Sequence, residues 1–154
     1  MKATKLCSGQ GVRNSQAMRE LVDKVKNLKL QYKDYPQKEL LIAMPNLNPE
    51  REYEIEVIYD EFTSLCPLNP GQPDYASINI KYVRDQNILE FKSLKFYLTS
   101  YRTVEIFYEA ATNKILDDLV DILKPRRMEI VTDWNIRGGT KVKVKASYAK
   151  EKVC

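Results

Sequence analysis

Between Leu65 and Tyr75 the chain reads Leu-Cys-Pro-Leu-Asn-Pro-Gly-Gln-Pro-Asp-Tyr, and two of these side chains can do chemistry together. Cys66 is a nucleophile once ionised, and Asp74, eight residues on, can move a proton for it. Pro67, Pro70, Gly71 and Pro73 stiffen the turn between them, which suits a loop that must hold side chains in place. A Pro-rich connection with a half-buried structural cysteine fits the same residues, because a lone cysteine says little by itself.

The rest of the composition narrows the chemistry. The sequence has no histidine, which removes Ser-His-Asp and Cys-His catalysis and any zinc site with a histidine ligand. Cys7, Cys66 and Cys154 never form a CxxC pair, so no all-thiolate metal site is expected either. Neither GxGxxG nor GxxxxGK[ST] occurs, and acid–base work falls to Asp, Glu, Tyr, Lys or Cys. An odd number of scattered cysteines points to free thiols in a reducing compartment. No hydrophobic stretch follows Met1-Lys2-Ala3-Thr4-Lys5, and no apolar run approaches the roughly 18 residues that span a membrane. A cytoplasmic protein is the expectation. At 154 residues, 30% charged and 44% apolar, the chain has the size and balance of one globular domain.

The elements that must position Cys66 and Asp74 are read from periodicity. Asn14 and Ser15 can cap a helix running to about Leu30, with Met18, Leu21, Val22, Val25 and Leu28 as its apolar stripe. Gln31 to Glu39 reads as irregular, and Pro45 to Glu50 as a turn-rich linker. Tyr53, Ile55, Val57 and Tyr59 alternate with glutamates as a first strand, and Ala76, Ile78, Ile80 and Tyr82 follow the cysteine loop as a second. Arg84 to Asn87 make a turn, and Ile88 to Phe91 lead into a short helix over Ser93 to Tyr101. A longer helix is predicted over Val104 to Leu123, with Phe107, Ala111, Ile115, Leu119 and Val120 at helical spacing and Pro125 ending it. Met128, Ile130, Thr132 and Trp134 give a third strand, Arg137-Gly138-Gly139 a turn, and Val142, Val144, Ala146 and Tyr148 a fourth. The order ββααββ predicts an α+β fold, an antiparallel sheet with two helices on one face. A small sheet of this kind leaves edges to cover, so a homo-oligomer is expected.

Several separated segments give the body, about Asn46 to Tyr148, a resemblance. Glu61-Phe62-Thr63-Ser64-Leu65-Cys66-Pro67 with Gly71-Gln72-Pro73-Asp74-Tyr75-Ala76 resembles the nucleophile loop of the unimodular 7-cyano-7-deazaguanine reductases, nitrile reductases of queuosine biosynthesis. Glu90-Phe91-Lys92-Ser93-Leu94-Lys95-Phe96-Tyr97 is similar to that family's NADPH-binding signature, with Phe91 where the family prefers a small or aliphatic residue. Ser100-Tyr101-Arg102 and Arg137-Gly138-Gly139 fall where its members carry Ser-(aromatic)-Arg and Arg-Gly-Gly. The resemblance implies the tunnelling fold shared with GTP cyclohydrolase I, over residues 46–154, preceded by an N-terminal helical extension over 1–45 that the resemblance leaves without a function.

It also implies roles. Cys66 would add to the nitrile carbon as a thioimide, a better hydride acceptor than the nitrile, and Asp74 would carry the proton. Leu89, Glu90, Phe91, Tyr108 and Glu109 would bind the deazapurine, the Glu109 carboxylate matching two adjacent N–H donors. Lys92, Ser93, Lys95 and Arg102 would hold NADPH, the two lysines lying close to one helical turn apart. Arg137 reads equally as part of a tight hairpin turn and is not assigned to the cofactor. The family's active sites form between subunits of a homo-oligomer. Two positions depart from its pattern: Tyr108 replaces a histidine, and Asn69-Pro70 lengthen the nucleophile loop by one residue. The alternative is the amidinotransferase-like branch of the same fold, which forms the thioimide on a deazaguanine already in tRNA and resolves it with ammonia to archaeosine. The net charge of +4 and the row Lys141, Lys143, Lys145, Lys150, Lys152 would suit that RNA partner, although alternating lysines also mark an ordinary solvated face.

Overall fold

A computed structural model describes residues 16–151; the expected caps Asn14 and Ser15, and also Cys7, Lys152 and Cys154, lie outside the described residues. The chain runs α1 (Gln16–Lys26), β1 (Ala43–Pro45), β2 (Glu54–Leu65), β3 (Pro73–Val83), β4 (Asn87–Leu89), α2 (Phe91–Thr99), α3 (Tyr108–Leu123), β5 (Arg127–Arg137) and β6 (Thr140–Ala149). β2, β3, β5 and β6 form one antiparallel sheet in that order, so the four predicted strands and the ββααββ order stand.

The sheet's inner face is built by the alternation of its central strands. Ala76, Ile78, Ile80 and Tyr82 of β3 and Met128, Ile130 and Trp134 of β5 are buried, as are Ala111, Ile115, Leu119 and Leu123 along one stripe of α3. Each fully buried large side chain contributes about 1.5–3 kcal/mol, against about 0–1 kcal/mol for an exposed ion pair such as Lys145–Glu129. Apolar burial therefore fixes α3 on the sheet. A buried polar cluster ties α2 to α3: Tyr97 donates to Asp118 at 2.7 Å, and Lys114 pairs with the same carboxylate at 2.6 Å.

Several boundaries differ from the sequence reading. The long helix starts at Tyr108, not Val104. Leu65 N–H donates to the Val104 carbonyl at 2.9 Å and Ile106 N–H to the Leu65 carbonyl at 3.1 Å, so this segment is extended and satisfies the end of β2. The short helix starts earlier, at Phe91, because Glu90 caps it, and Ser100–Thr103 tighten into a 3₁₀ turn. α1 stops at Lys26, short of Leu30.

Two short strands were not expected. β1, of which only Pro45 fell in the expected linker, pairs antiparallel with β4, read as the end of a turn and the lead into a helix. Leu40, Leu41 and Ile42 are buried beside them. Residues 37–45, counted with the extension in the sequence, are thus packed into the body.

Candidate active site

Cys66, Asp74 and Arg137 sit at the ends of three neighbouring strands, and two bulges aim them together. In β2 the register against β3 slips between Tyr59 and Phe62, where Asp60 and Glu61 face a single residue. Strict alternation from Ile55, Val57 and Tyr59 would have turned Leu65 inward and Cys66 out. The slip instead puts Phe62 and Ser64 in the buried layer, and the next residue of that parity is Cys66. In β5 the register against β6 slips in the same way between Trp134 and Arg137. Ile136 is left exposed, and Arg137 returns to the face of Trp134. Asp74 reaches that face without a bulge, two residues before Ala76 in β3.

These side chains line a cavity of about 220 Å³ with Pro67, Ile106, Phe107, Tyr108 and Glu109. Asp74 is buried, and Arg137 Nη1 donates to its Oδ1 at 3.0 Å and Oδ2 at 3.4 Å. The cysteine loop closes through Cys66 N–H donating to the Gln72 carbonyl at 2.9 Å and Gln72 N–H donating to the Asn69 carbonyl at 3.0 Å. Gly71 takes the left-handed φ of +78° that this turn requires. Cys66 and Asp74, at the two ends of this loop, share one cavity.

The electrostatics favour an ionised thiol. The Arg137 guanidinium, with backbone N–H groups of Leu68 and Asn69, holds the Cys66 thiol below its ordinary range against a smaller opposing effect of burial. Arg137 is itself pushed further up, first by Cys66 and then by Asp74. Tyr108, at the start of α3, lies flat on Trp134, ring centroids 3.9 Å apart and planes 10° from parallel. Trp134 Nε1 donates to Thr132 at 2.9 Å, Thr132 meets Thr112 at 2.7 Å, and Thr112 donates to the Tyr108 carbonyl at 2.8 Å. That chain fixes the first turn of α3 over the cavity. Burial first, and the facing Asp74 second, push the Tyr108 hydroxyl up from its ordinary value. Glu109 is exposed in the same turn, where a carboxylate is favoured by the helix dipole.

The other residues read as site candidates, Leu89, Glu90, Phe91, Lys92, Ser93, Lys95 and Arg102, do not line this cavity within one chain. Glu90 accepts from Lys92 N–H at 2.9 Å and Ser93 N–H at 2.6 Å as the N-cap of α2. Ser93 is buried, its hydroxyl donating to the Glu90 carbonyl at 2.8 Å and accepting from Ile42 N–H at 3.0 Å. Lys92 Nζ donates to the Val25 and Lys26 carbonyls at 3.0 and 3.4 Å, at the C-terminal end of α1. Lys95, Arg102 and Phe91 are exposed, and Leu89 is buried. Lys92 is thus engaged by α1, Lys95 and Arg102 are exposed, and the Ser93 hydroxyl is buried between its two partners.

Sequence reasoning left out Arg137, and the Arg-Gly-Gly run was the signal that could have included it. It also passed over Ile106 and Phe107, absorbed there into a helix.

The comparisons with known proteins follow the same residues. A family described as QueF-like protein matches residues 73–153. The NADPH-dependent 7-cyano-7-deazaguanine reductase of Thermomicrobium roseum is 55% identical over 115 residues, 75% of this chain and 88% of that protein. The enzyme of the same name from Chlorobaculum tepidum is 49% identical over 115 residues, 75% of this chain and 97% of its own length. A crystal structure of the archaeosine synthase QueF-Like in the apo form superposes with a TM-score of 0.56 at 19% identity, covering 66% of this chain and 96% of that one, a likeness of fold alone.

Proposed function

The chain belongs to the QueF-like protein family, and from that premise we propose that it is an NADPH-dependent reductase of 7-cyano-7-deazaguanine, acting through a thioimide on Cys66. The observation that carries this reading is the Cys66 thiol, drawn toward thiolate in the same cavity as the buried Asp74, in a chain half identical to reductases of that name.

The chemistry then follows from the residues. The thiol proton passes to Asp74, sulfur bonds to the nitrile carbon as one C≡N π bond opens, and Asp74 returns the proton to nitrogen. NADPH, when bound, supplies hydride, and reduction of a nitrile to a primary amine takes two. Loss of the C–S bond after the first returns Cys66 as thiolate beside Arg137. Glu109 offers two acceptor oxygens to the amino and ring N–H groups of the deazapurine, and Tyr108, clamped on Trp134, gives the base an aromatic wall. Leu89, Glu90 and Phe91 would complete the base site from a second copy of the chain, and Lys92, Lys95 and Arg102 would hold the cofactor's phosphates. The protein is accordingly a homo-oligomer of the cytoplasm. Among the described residues no helix is long and apolar enough to cross a membrane. Lys141 and Lys143 each pair with Asp133, and Lys145 with Glu129, so this row alternates with carboxylates as a solvated face does.

The test mixes purified protein with 7-cyano-7-deazaguanine and follows NADPH absorbance together with intact mass. Two NADPH are consumed per nitrile, and without cofactor a Cys66 adduct accumulates. Cys66→Ala abolishes both, a loss of about 10³-fold or more. Asp74→Asn slows adduct formation by about 10²–10⁴-fold. Reduction by Cys66→Ala at near the parent rate would overturn the thioimide.

A further inference from the structure

We infer that Arg137 is a positioning residue of this reaction centre: its guanidinium, aimed into the cavity by the β5 bulge, is the counter-charge that Cys66 and Asp74 share. The inference rests on the reading of Cys66 as the nucleophile, and it deepens that reading.

Three observations converge on it. The first is the depth of Asp74, only 5% exposed. Burying a carboxylate at that depth is costly unless a partner compensates its desolvation, and the only ion pair it makes among the described residues is with Arg137. The second is the bulge. Ordinary pairing after Trp134 would turn Ile136 to the core and Arg137 to solvent, and the extra residue reverses both at the expense of ladder hydrogen bonds. Gly138 and Gly139, with φ of +58° and +75°, close the hairpin directly behind it and fix where the bulge falls. The third is the fork itself. One guanidinium presents several N–H groups in a plane, and here it is bonded to the Asp74 carboxylate inside the cavity that Cys66 and Tyr108 also line.

A fixed cation between two groups that both become anions changes how protons divide between them. Guanidinium does not titrate in the working range, so thiolate and carboxylate can coexist beside it. When Asp74 takes the thiol proton, the same guanidinium stays bonded to its carboxyl group and remains in the cavity with the sulfur. Arg137 thus acts on both halves of the step through groups it does not replace.

The test is the pH dependence of Cys66 alkylation by iodoacetamide, a neutral reagent whose approach does not depend on local charge. It is run in the full chain with Cys7→Ser and Cys154→Ser, so that one thiol reports. Arg137→Met is expected to raise the midpoint of the rate profile by about one pH unit or more, the effect of losing an adjacent opposite charge. The high-pH plateau stays within a few-fold, because the fully ionised thiolate remains equally accessible. Arg137→Lys, which keeps the charge and loses the fork, is expected between the two. A merely structural arginine would change the melting curve and leave the midpoint alone. An unchanged midpoint in Arg137→Met, or a Lys variant indistinguishable from Met, overturns the inference. Because the probe is not the nitrile, a shifted midpoint in a chain that never forms a nitrile adduct would sink the reductase reading and leave Arg137's role intact. An unshifted midpoint with normal adduct formation would do the reverse.

Discussion

Tyr108 lines the thiol cavity, and its surroundings define what it can do. Burial and the facing Asp74 carboxylate both push its hydroxyl up from an ordinary value of 10.0, so it stays protonated wherever the thiol is reactive. It can donate a hydrogen bond but cannot cycle a proton near neutrality. On the proposed mechanism the proton traffic falls to Asp74, with the Tyr108 hydroxyl facing it across the cavity. Tyr108→Phe keeps the ring on Trp134 and removes only the hydroxyl. If that hydroxyl donates to Asp74 in the reacting complex, its loss, at about 1.4 kcal/mol, predicts adduct formation slower by about tenfold. The shape of its pH profile should be unchanged between about pH 6 and 9, because the tyrosine's own titration lies above that range. Disappearance of a limb in the Phe variant would mean that Tyr108 itself titrates in the reaction. Cys66 and Asp74 were legible in the sequence because a thiol, a carboxylate and three prolines crowd one loop. Arg137 was not, because an Arg-Gly-Gly turn looks the same whether its arginine faces solvent or a carboxylate.

The elements explain that difference. β3 and β5 were readable because their inward residues alternate without interruption across the central part of the sheet. The bulges at Asp60–Glu61 and Asn135–Ile136 carry no glycine or proline to announce them, and only the cross-strand register reveals them. The start of α3 was misplaced because Val104 and Phe107 continue its apolar spacing; what makes them extended is pairing with Leu65, some 40 residues away in sequence. The cap of α2 shows how one residue can carry a structural duty inside a functional signature. Both Glu90 oxygens accept backbone N–H groups, and the Glu90 N–H donates to the Ile42 carbonyl at 3.0 Å. Glu90→Ala is expected to destabilise the fold by about 1 kcal/mol in urea titration, with Glu90→Gln losing less because one acceptor remains. A loss of nucleobase binding in Glu90→Gln with unchanged stability would assign the residue to the ligand rather than to the helix.

At the scale of the whole molecule, the thiol cavity has large exposed apolar side chains around it. Leu68 is 80% exposed, Ile136 69%, Tyr75 52% and Phe107 51%, and each lies within two residues of a side chain that lines the cavity or lines it itself. Large apolar side chains gathered around a polar centre mark a surface that another protein covers. Among the described residues β6, and β2 apart from its Leu65 end, have no strand on their outer edge, which is where a second copy can extend the sheet. The Leu89–Arg102 group carries its own exposed aromatic, Phe91, and shares no lining residue with the thiol cavity. A neighbouring chain that brings its Phe91 face to this cavity would cover both apolar surfaces and assemble a complete site. Ile136→Glu places a charge on that rim without touching the residues that line the cavity. It is expected to shift the protein toward monomer in sedimentation equilibrium at micromolar concentration and to abolish nucleobase binding by calorimetry. The alkylation profile of Cys66 should persist, because Arg137 and Asp74 come from the same chain as the thiol. A parent protein that sediments as a monomer and still binds the nucleobase at full affinity would place the whole site within one chain, and the exposed apolar rim would then need another occupant.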